Sequence, residues 1–263
     1  MELVYPAVTV AGRLLVRGLG LRVTVEGDEH VPVSGPVVIA SNHVSFLDFL
    51  LVGLAARRSR RRVRFLARHD IWAHPLARPL MTGMRHVPVD RAAPAGAYLH
   101  ARALLRDGEA VGVFPEAGVS TSYTVRALMP GAVALARETG VPVVPMAVWG
   151  GQRLLTTGEP LDLTRGRPVS LLVGAPMSVP PHADVHHHTA LLGTRLQELL
   201  DDLQQRPEHR PAAGEEARWH PAHLGGHAPT PRAARLAESV PSRSVRPSWL
   251  PRVPAEQHVP TCA

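Results

Sequence analysis

The chain has 263 residues, 45% of them hydrophobic and 4% aromatic, and a formal net charge of +7. That length and balance suit one globular domain with a substantial core, followed by a tail. All 29 basic residues are arginine, so the positive charge is carried by guanidinium groups suited to anions, while the few aromatics and the lack of basic-aromatic interleaving argue against nucleic acid as a partner.

In chain order, residues 3 to 19 read as a helix with Val4, Val8, Ala11 and Leu15 on one face and Thr9, Arg13 and Arg17 on another. This pattern fits a helix lying in a membrane interface over residues 1–20, and equally a helix packed on the core. Arg13 and Arg17 interrupt the apolar run before it reaches the length that spans a bilayer, and the lack of a basic start makes it a poor signal peptide. The single cysteine, Cys262, forms no internal disulfide, and nothing points to an oxidising compartment.

A buried strand is predicted at 37–41 and a helix at 46–56, with Ser41-Asn42-His43 in the turn between them. His43 then stands at a strand's carboxyl end and Asp48 in the helix's first turns, a spacing that can seat an imidazole with an orienting carboxylate as a general base. The alternative is a plain cap by Ser41 or Asn42, with Asp48 answering the helix N-terminus. Arg57, Arg58, Arg60, Arg61, Arg62 and Arg64 crowd the next stretch. An anionic lipid surface would attract such arginines at about 1 kcal/mol each, and a solvated loop is the default for any charge run.

Further strands are expected at 63–67, 86–89, 111–114, 143–148 and 169–173, with helices at 94–106 and 131–139 between them. The 86–89 strand ends in Asp90-Arg91, where Arg91 is placed to grip a phosphate or to pair on the surface. The 111–114 strand runs into Pro115-Glu116-Ala117-Gly118, a tight turn projecting Glu116 toward a substrate hydroxyl, an arginine or solvent. Val141-Pro142-Val143-Val144-Pro145 leads rigidly into the next strand. Leu192, Leu196, Leu199 and Leu203 make a closing helix. His186-His187-His188, in an apparent loop without a matching Cys or carboxylate set, indicates no metal. From residue 207 to 263 the chain loses its apolar period and reads as a disordered tail, leaving one domain at 21–206. The fold expected is α/β, a mixed, largely parallel sheet flanked by helices, with the site at the strands' carboxyl edge.

In sequence order, Asn42-His43 with Asp48, Gly83 to Arg91, Phe114-Pro115-Glu116 and Val141 to Pro145 resemble the four motif blocks of the bacterial 1-acylglycerol-3-phosphate (lysophosphatidic acid) acyltransferases, across about residues 20 to 180. The resemblance implies the glycerolipid acyltransferase fold, His43 and Asp48 as catalytic residues, and substrate binding at Asn42, Arg91, Phe114, Pro115, Glu116 and Gly118. It implies an acyl-CoA or acyl-carrier-protein thioester as co-substrate with no further cofactor, lysophosphatidate as acceptor, and a place on the cytoplasmic face of the cell membrane against an anionic lipid surface. The family's third block usually continues Glu-Gly-Thr-Arg-Ser, but here Val119 stands where that arginine would. Arg126 or Arg68 is the candidate to supply the charge, and a different acceptor, a lyso-ornithine lipid or another lysophospholipid, is the alternative. No Gly-x-Ser-x-Gly elbow supports a serine hydrolase. A non-catalytic membrane-binding protein with degenerate motifs is the third reading.

Overall fold

The structure is a computed structural model and describes residues 3–237 and 246–251. Seven strands form one sheet: β1 (Arg22–Glu26), β2 (Val37–Ser41), β3 (Val63–Arg68), β4 (Val87–Val89), β5 (Ala110–Val113), β6 (Val143–Trp149) and β7 (Pro168–Val173). Their spatial order is β1-β7-β6-β2-β5-β3-β4, and every neighbouring pair is parallel except β6 with β7. The helices are α1 (Val4–Gly18), α2 (Asp48–Ala55), α3 (Ala77–Gly83), α4 (Ala95–Arg106), α5 (Gly131–Thr139), α6 (Val185–Gln205) and α7 (Pro231–Ala237).

β2, buried at all five positions, shows why the sheet sits between two cores. Successive side chains alternate faces: Val38 and Ala40 join Val111, Leu135 and Leu196 in one cluster, while Val37 and Ile39 join Leu51, Val63 and Val144 in the other. Because β2, β3, β4, β5 and β6 run the same way, their following loops all reach one edge. His43, Arg91, the Phe114–Gly118 turn and the Gly150-Gly151 turn meet there.

Three expectations are corrected. Arg64 and Arg61 are not part of a lipid-facing stretch. Arg64 is 2% exposed and donates to Met84 O at 2.8 Å and to Glu109, while the Arg61 guanidinium donates to the carbonyls of Gly35 and Gly108. The stretch precedes β3, so it lies at the edge opposite His43; Arg57, Arg58, Arg60 and Arg62 stay exposed there. His186-His187-His188 form the first turn of α6, not a loop, with Asp184 accepting from the His186 and His187 N–H groups as an N-cap. Among the described residues no group of side chains is arranged to hold a metal ion.

The tail expected from residue 207 is structured over 207–237. His209, Ala217, His220, Ala228 and Ala234 are buried, and Arg153 stacks over the Trp219 ring at 3.9 Å. Isolated side chains filling niches leave no period in the sequence, which hid this packing. The remainder of that expectation at 238–245 and 252–263, Cys262 included, lies outside the described residues.

Helix α1 has no fully buried residue. It packs on α2 and α3 through small contacts: Gly83 makes room for Val4, Gly12 meets Leu50, and the Tyr5 hydroxyl accepts from Val63 N–H at 2.9 Å. Leu3, Val10 and Leu14 remain exposed, so the helix packs on the domain and still presents an apolar outer surface. No helix among the described residues is long and apolar enough to cross a membrane. Sequence patterning missed α3, whose Pro79 reads as a breaker, and β1, a short edge strand with alternating exposure.

Candidate active site

Asp48 opens α2, is 0% exposed, and gathers the turn that precedes it. Its Oδ2 accepts from the Val44 and Ser45 N–H groups, each at 2.8 Å, and lies 2.9 Å from His43 Nδ1. An oxygen already accepting two N–H bonds cannot offer a proton there, so Nδ1 is the donor and Nε2 keeps the lone pair. The His43 ring is stacked on Phe114, centroids 4.2 Å apart, and Phe114 stacks on Phe65 at 5.6 Å. Gly112 makes that stack possible, because a Cβ there would fall within the Phe65 ring across the β3–β5 pairing.

Two residues expected to bind substrate, Asn42 and Glu116, are bonded into the scaffold. Asn42 is 0% exposed, and its amide donates to Val148 O at 3.0 Å and accepts from Val148 N–H at 2.7 Å. It thereby continues the β2–β6 ladder beyond its last paired residues, Ser41 and Met146. Glu116, 2% exposed, accepts from His43 N–H at 2.8 Å through Oε1 and from Arg126 N–H at 2.7 Å through Oε2. It ties the histidine's backbone to the Arg126 loop, each oxygen accepting one N–H, and it also lines the cleft beside His43. Burial pushes its carboxyl up to about 7, against the downward pull of Arg126 and the two N–H donors.

With Glu116, the remaining expected residues line one large apolar cleft of about 1630 Å³ beside His43: Arg68, Arg91, Phe114, Pro115, Gly118 and Arg126. Arg68 is paired with Asp70, and Arg91 Nη1 reaches only weakly to Ala117 O at 3.5 Å. Arg126 lies against Gly118, where an added Cβ would stand 2.5 Å from its Nη1. Val119 also lines the cleft. Ala117 adopts φ 54°, the left-handed region, so this chain carries alanine where backbone geometry favours glycine.

Sequence reading missed a second support. After β6, the Gly150-Gly151 turn brings Leu155 O to accept from Phe46 N–H and from the Ser45 hydroxyl, and Thr156 Oγ1 to donate to Val44 O at 2.7 Å. Glycine is required at Gly150, because φ is 104° and any Cβ would strike the Pro168 carbonyl. The paired glycines after an apolar strand were the available signal.

Residues 22–149 match the family model described as Acyltransferase. Those residues, just under half of the chain, are similar to the acyltransferase family. Similar proteins include the chloroplastic 1-acyl-sn-glycerol-3-phosphate acyltransferase LPAT1 of Arabidopsis thaliana, 32% identical over 142 residues covering 52% of this chain and 38% of that protein. The 1-acyl-sn-glycerol-3-phosphate acyltransferase of Borreliella burgdorferi is 25% identical over 133 residues, 49% of this chain and 52% of that protein. The match thus spans about half or less of these relatives' lengths. The crystal structure of the 1-acyl-sn-glycerophosphate acyltransferase PlsC from Thermotoga maritima superposes with a TM-score of 0.65 at 22% identity, over 77% of this chain and 80% of that one, and shares the fold. The acyltransferase family model ends at Trp149, so it includes His43, Asp48, Glu116 and Arg126 but stops before the Leu155–Thr156 support and the closing helix α6.

Proposed function

We propose that this chain transfers a fatty acyl group from an acyl thioester to the free hydroxyl of 1-acylglycerol-3-phosphate, giving phosphatidate for phospholipid synthesis. The observation that carries the reading is the His43–Asp48 pair on the cleft, which leaves Nε2 as the basic nitrogen. His43 Nε2 takes the hydroxyl proton as the acceptor oxygen attacks the thioester carbonyl, and Asp48 stabilises the resulting imidazolium. The tetrahedral intermediate collapses with cleavage of the C–S bond, and the leaving thiolate takes the proton back from the imidazolium. No acyl-enzyme forms.

Backbone donors near Gly118 take the oxyanion. Within the turn, Ala117 N–H is spent on Phe114 O and Ser120 N–H on His43 O, while Gly118 and Val119 N–H have no protein partner among the described residues. Arg126 and Arg91 hold the acceptor's phosphate, with Arg126 filling the role left open at Val119. CoA and acyl-carrier-protein thioesters are both donors of the right chemistry, and the apolar outer surface of α1 together with the cleft rim would rest on a membrane at its cytoplasmic face. A different lysolipid acceptor is the second reading, favoured specifically by Val119.

The deciding experiment measures thiol release from acyl-CoA or acyl-carrier protein in liposomes, with and without lysophosphatidate, and identifies the lipid product by mass. Release that needs the acceptor, yields phosphatidate and disappears in His43→Ala supports the reading. Acceptor-independent release would point to hydrolysis, and product only with another lysolipid would move the acceptor assignment.

A further inference from the structure

The matched family region ends at Trp149, yet the cleft does not. Pro247 and Leu250, from the described segment 246–251, line the same cleft as His43, Met129 and Pro130. The segment is held on both sides. Leu128 N–H donates to Trp249 O at 3.0 Å and Ser248 N–H donates to Leu128 O at 2.8 Å, an isolated antiparallel bridge. Leu128 sits in the run that carries Arg126, and the next residue, Met129, donates its N–H to Pro115 O at 2.8 Å. The Trp249 indole lies over Gly193 of α6, where any Cβ would fall within the ring. Anchored this way, the neighbouring Leu250 stays 62% exposed at the cleft wall.

A leucine fixed by two independent anchors and left open on an otherwise apolar cleft is complementary to a hydrocarbon chain. We propose that segment 246–251 is a specificity element of the cleft, in which Pro247 and Leu250 contact a substrate's alkyl chain and the Trp249–Gly193 lock sets how much length the cleft accepts. The inference rests on the acyltransferase reading above. Both the donor and the lysolipid bring a fatty chain, so the shared chemistry is a saturated or monounsaturated alkyl chain.

The test compares the full-length parent with Leu250→Ala, Leu250→Trp and Gly193→Ala. In one arm dodecanoyl, palmitoyl and stearoyl thioesters compete for a fixed lysophosphatidate; in the other, lysophosphatidates of the same three chain lengths compete for a fixed thioester. Leu250→Trp should shift the kcat/KM ratio toward the shorter chain, and Leu250→Ala toward the longer, by about tenfold, the low end of one methylene's discrimination in an apolar pocket. The arm that shifts identifies which chain Leu250 meets. Gly193→Ala, away from the cleft, should broaden the same profile by displacing Trp249. Folded, active Leu250 variants with parental profiles in both arms would overturn the inference while leaving the acyltransferase reading intact. A parent without turnover on any pair would instead remove the acyltransferase reading, and this inference with it.

Discussion

Replacing Asp48 by Asn separates charge from geometry, because three N–H donors converge on one oxygen, Oδ2, while Oδ1 has no partner. An amide oxygen placed at the Oδ2 position keeps all three hydrogen bonds and the histidine's tautomer, and its NH2 falls where nothing was bonded. What disappears is the negative charge facing the imidazolium of the proposed transition state. At a charge separation of about 4 Å and an effective dielectric near 20, that interaction is about 4 kcal/mol, or up to about a thousandfold in rate. The His43 side chain is 18% exposed, so some of it is screened, and we expect kcat to fall by about 10² to 10³ with KM for both substrates little changed. Asp48→Ala should lose as much activity and also stability, because the buried Val44 and Ser45 N–H groups are orphaned at roughly 1–3 kcal/mol each. Steady-state kinetics on both variants, with thermal unfolding as the control, measure the two effects. If folded Asp48→Asn retained kcat within about threefold of the parent, the charge would have no catalytic part, and Asp48 would act through its hydrogen bonds alone.

Glu116→Gln has one acceptor oxygen for two N–H donors, so it should lower kcat by about tenfold or more with His43 still in place; because burial pushes the parent carboxyl up to about 7, the parent's activity should fall more steeply in acid than the variant's, which keeps only the limb due to the histidine base, a difference read from pH-rate profiles. Arg126→Ala and Arg91→Ala should each raise KM for lysophosphatidate about tenfold with little change in KM for the thioester, and unchanged acceptor affinity in Arg126→Ala would remove that residue from the phosphate site. Ala117→Gly relieves left-handed strain of roughly 1–2 kcal/mol while loosening the unfolded chain by somewhat less, so urea unfolding should show equal or slightly higher stability, never a clear loss. Burial lowers the titration of His209 and His220 to about 4, so the fold binds fewer protons than the unfolded chain. Their contribution is present at neutral pH, starts to be lost below about 6.5 and is gone below about 4. His209→Gln should flatten that slope relative to the parent in unfolding measured from pH 7.5 down to 5, and parallel slopes would refute it.

What the sequence reveals is what repeats or what is spelled out locally. The central strands were legible because burial on both faces writes runs such as Val37–Ala40 and Val143–Val148, and the closing helix because Leu192, Leu196 and Leu203 keep a helical period. His43 and Asp48 were legible because they sit in one turn. Asn42 and Glu116 were placed correctly at the site's edge, but their scaffold bonds were not legible, since their partners, Val148, His43 and Arg126, are backbone N–H and carbonyl groups contributed by distant segments. A backbone partner has no sequence identity and therefore leaves no pattern. Arg64 misled for the opposite reason: its neighbours form a charge run, but Glu109 and the Met84 carbonyl draw this one guanidinium inward.

The same bonds explain why the motif blocks occur together. Block one reaches the strand of block four through Asn42 and Val148, and block three reaches block one through Glu116 and His43. Each tie is a polar side chain closing a backbone gap at the carboxyl edge of a parallel strand, so blocks one, three and four are joined into one scaffold. The cleft is lined by His43, Glu116, the arginines, the Gly118 turn and apolar walls. That division locates this chain's own freedom. Glu116 fixes the Arg126 backbone through its N–H, and Gly118 leaves the space the guanidinium occupies, so a cation can arrive from seven residues downstream while Val119 stands in the turn. On the proposed reading Arg126 answers the departure at Val119 from the ligand-facing side, and the hydrogen bonds that hold His43 use neither of those two side chains.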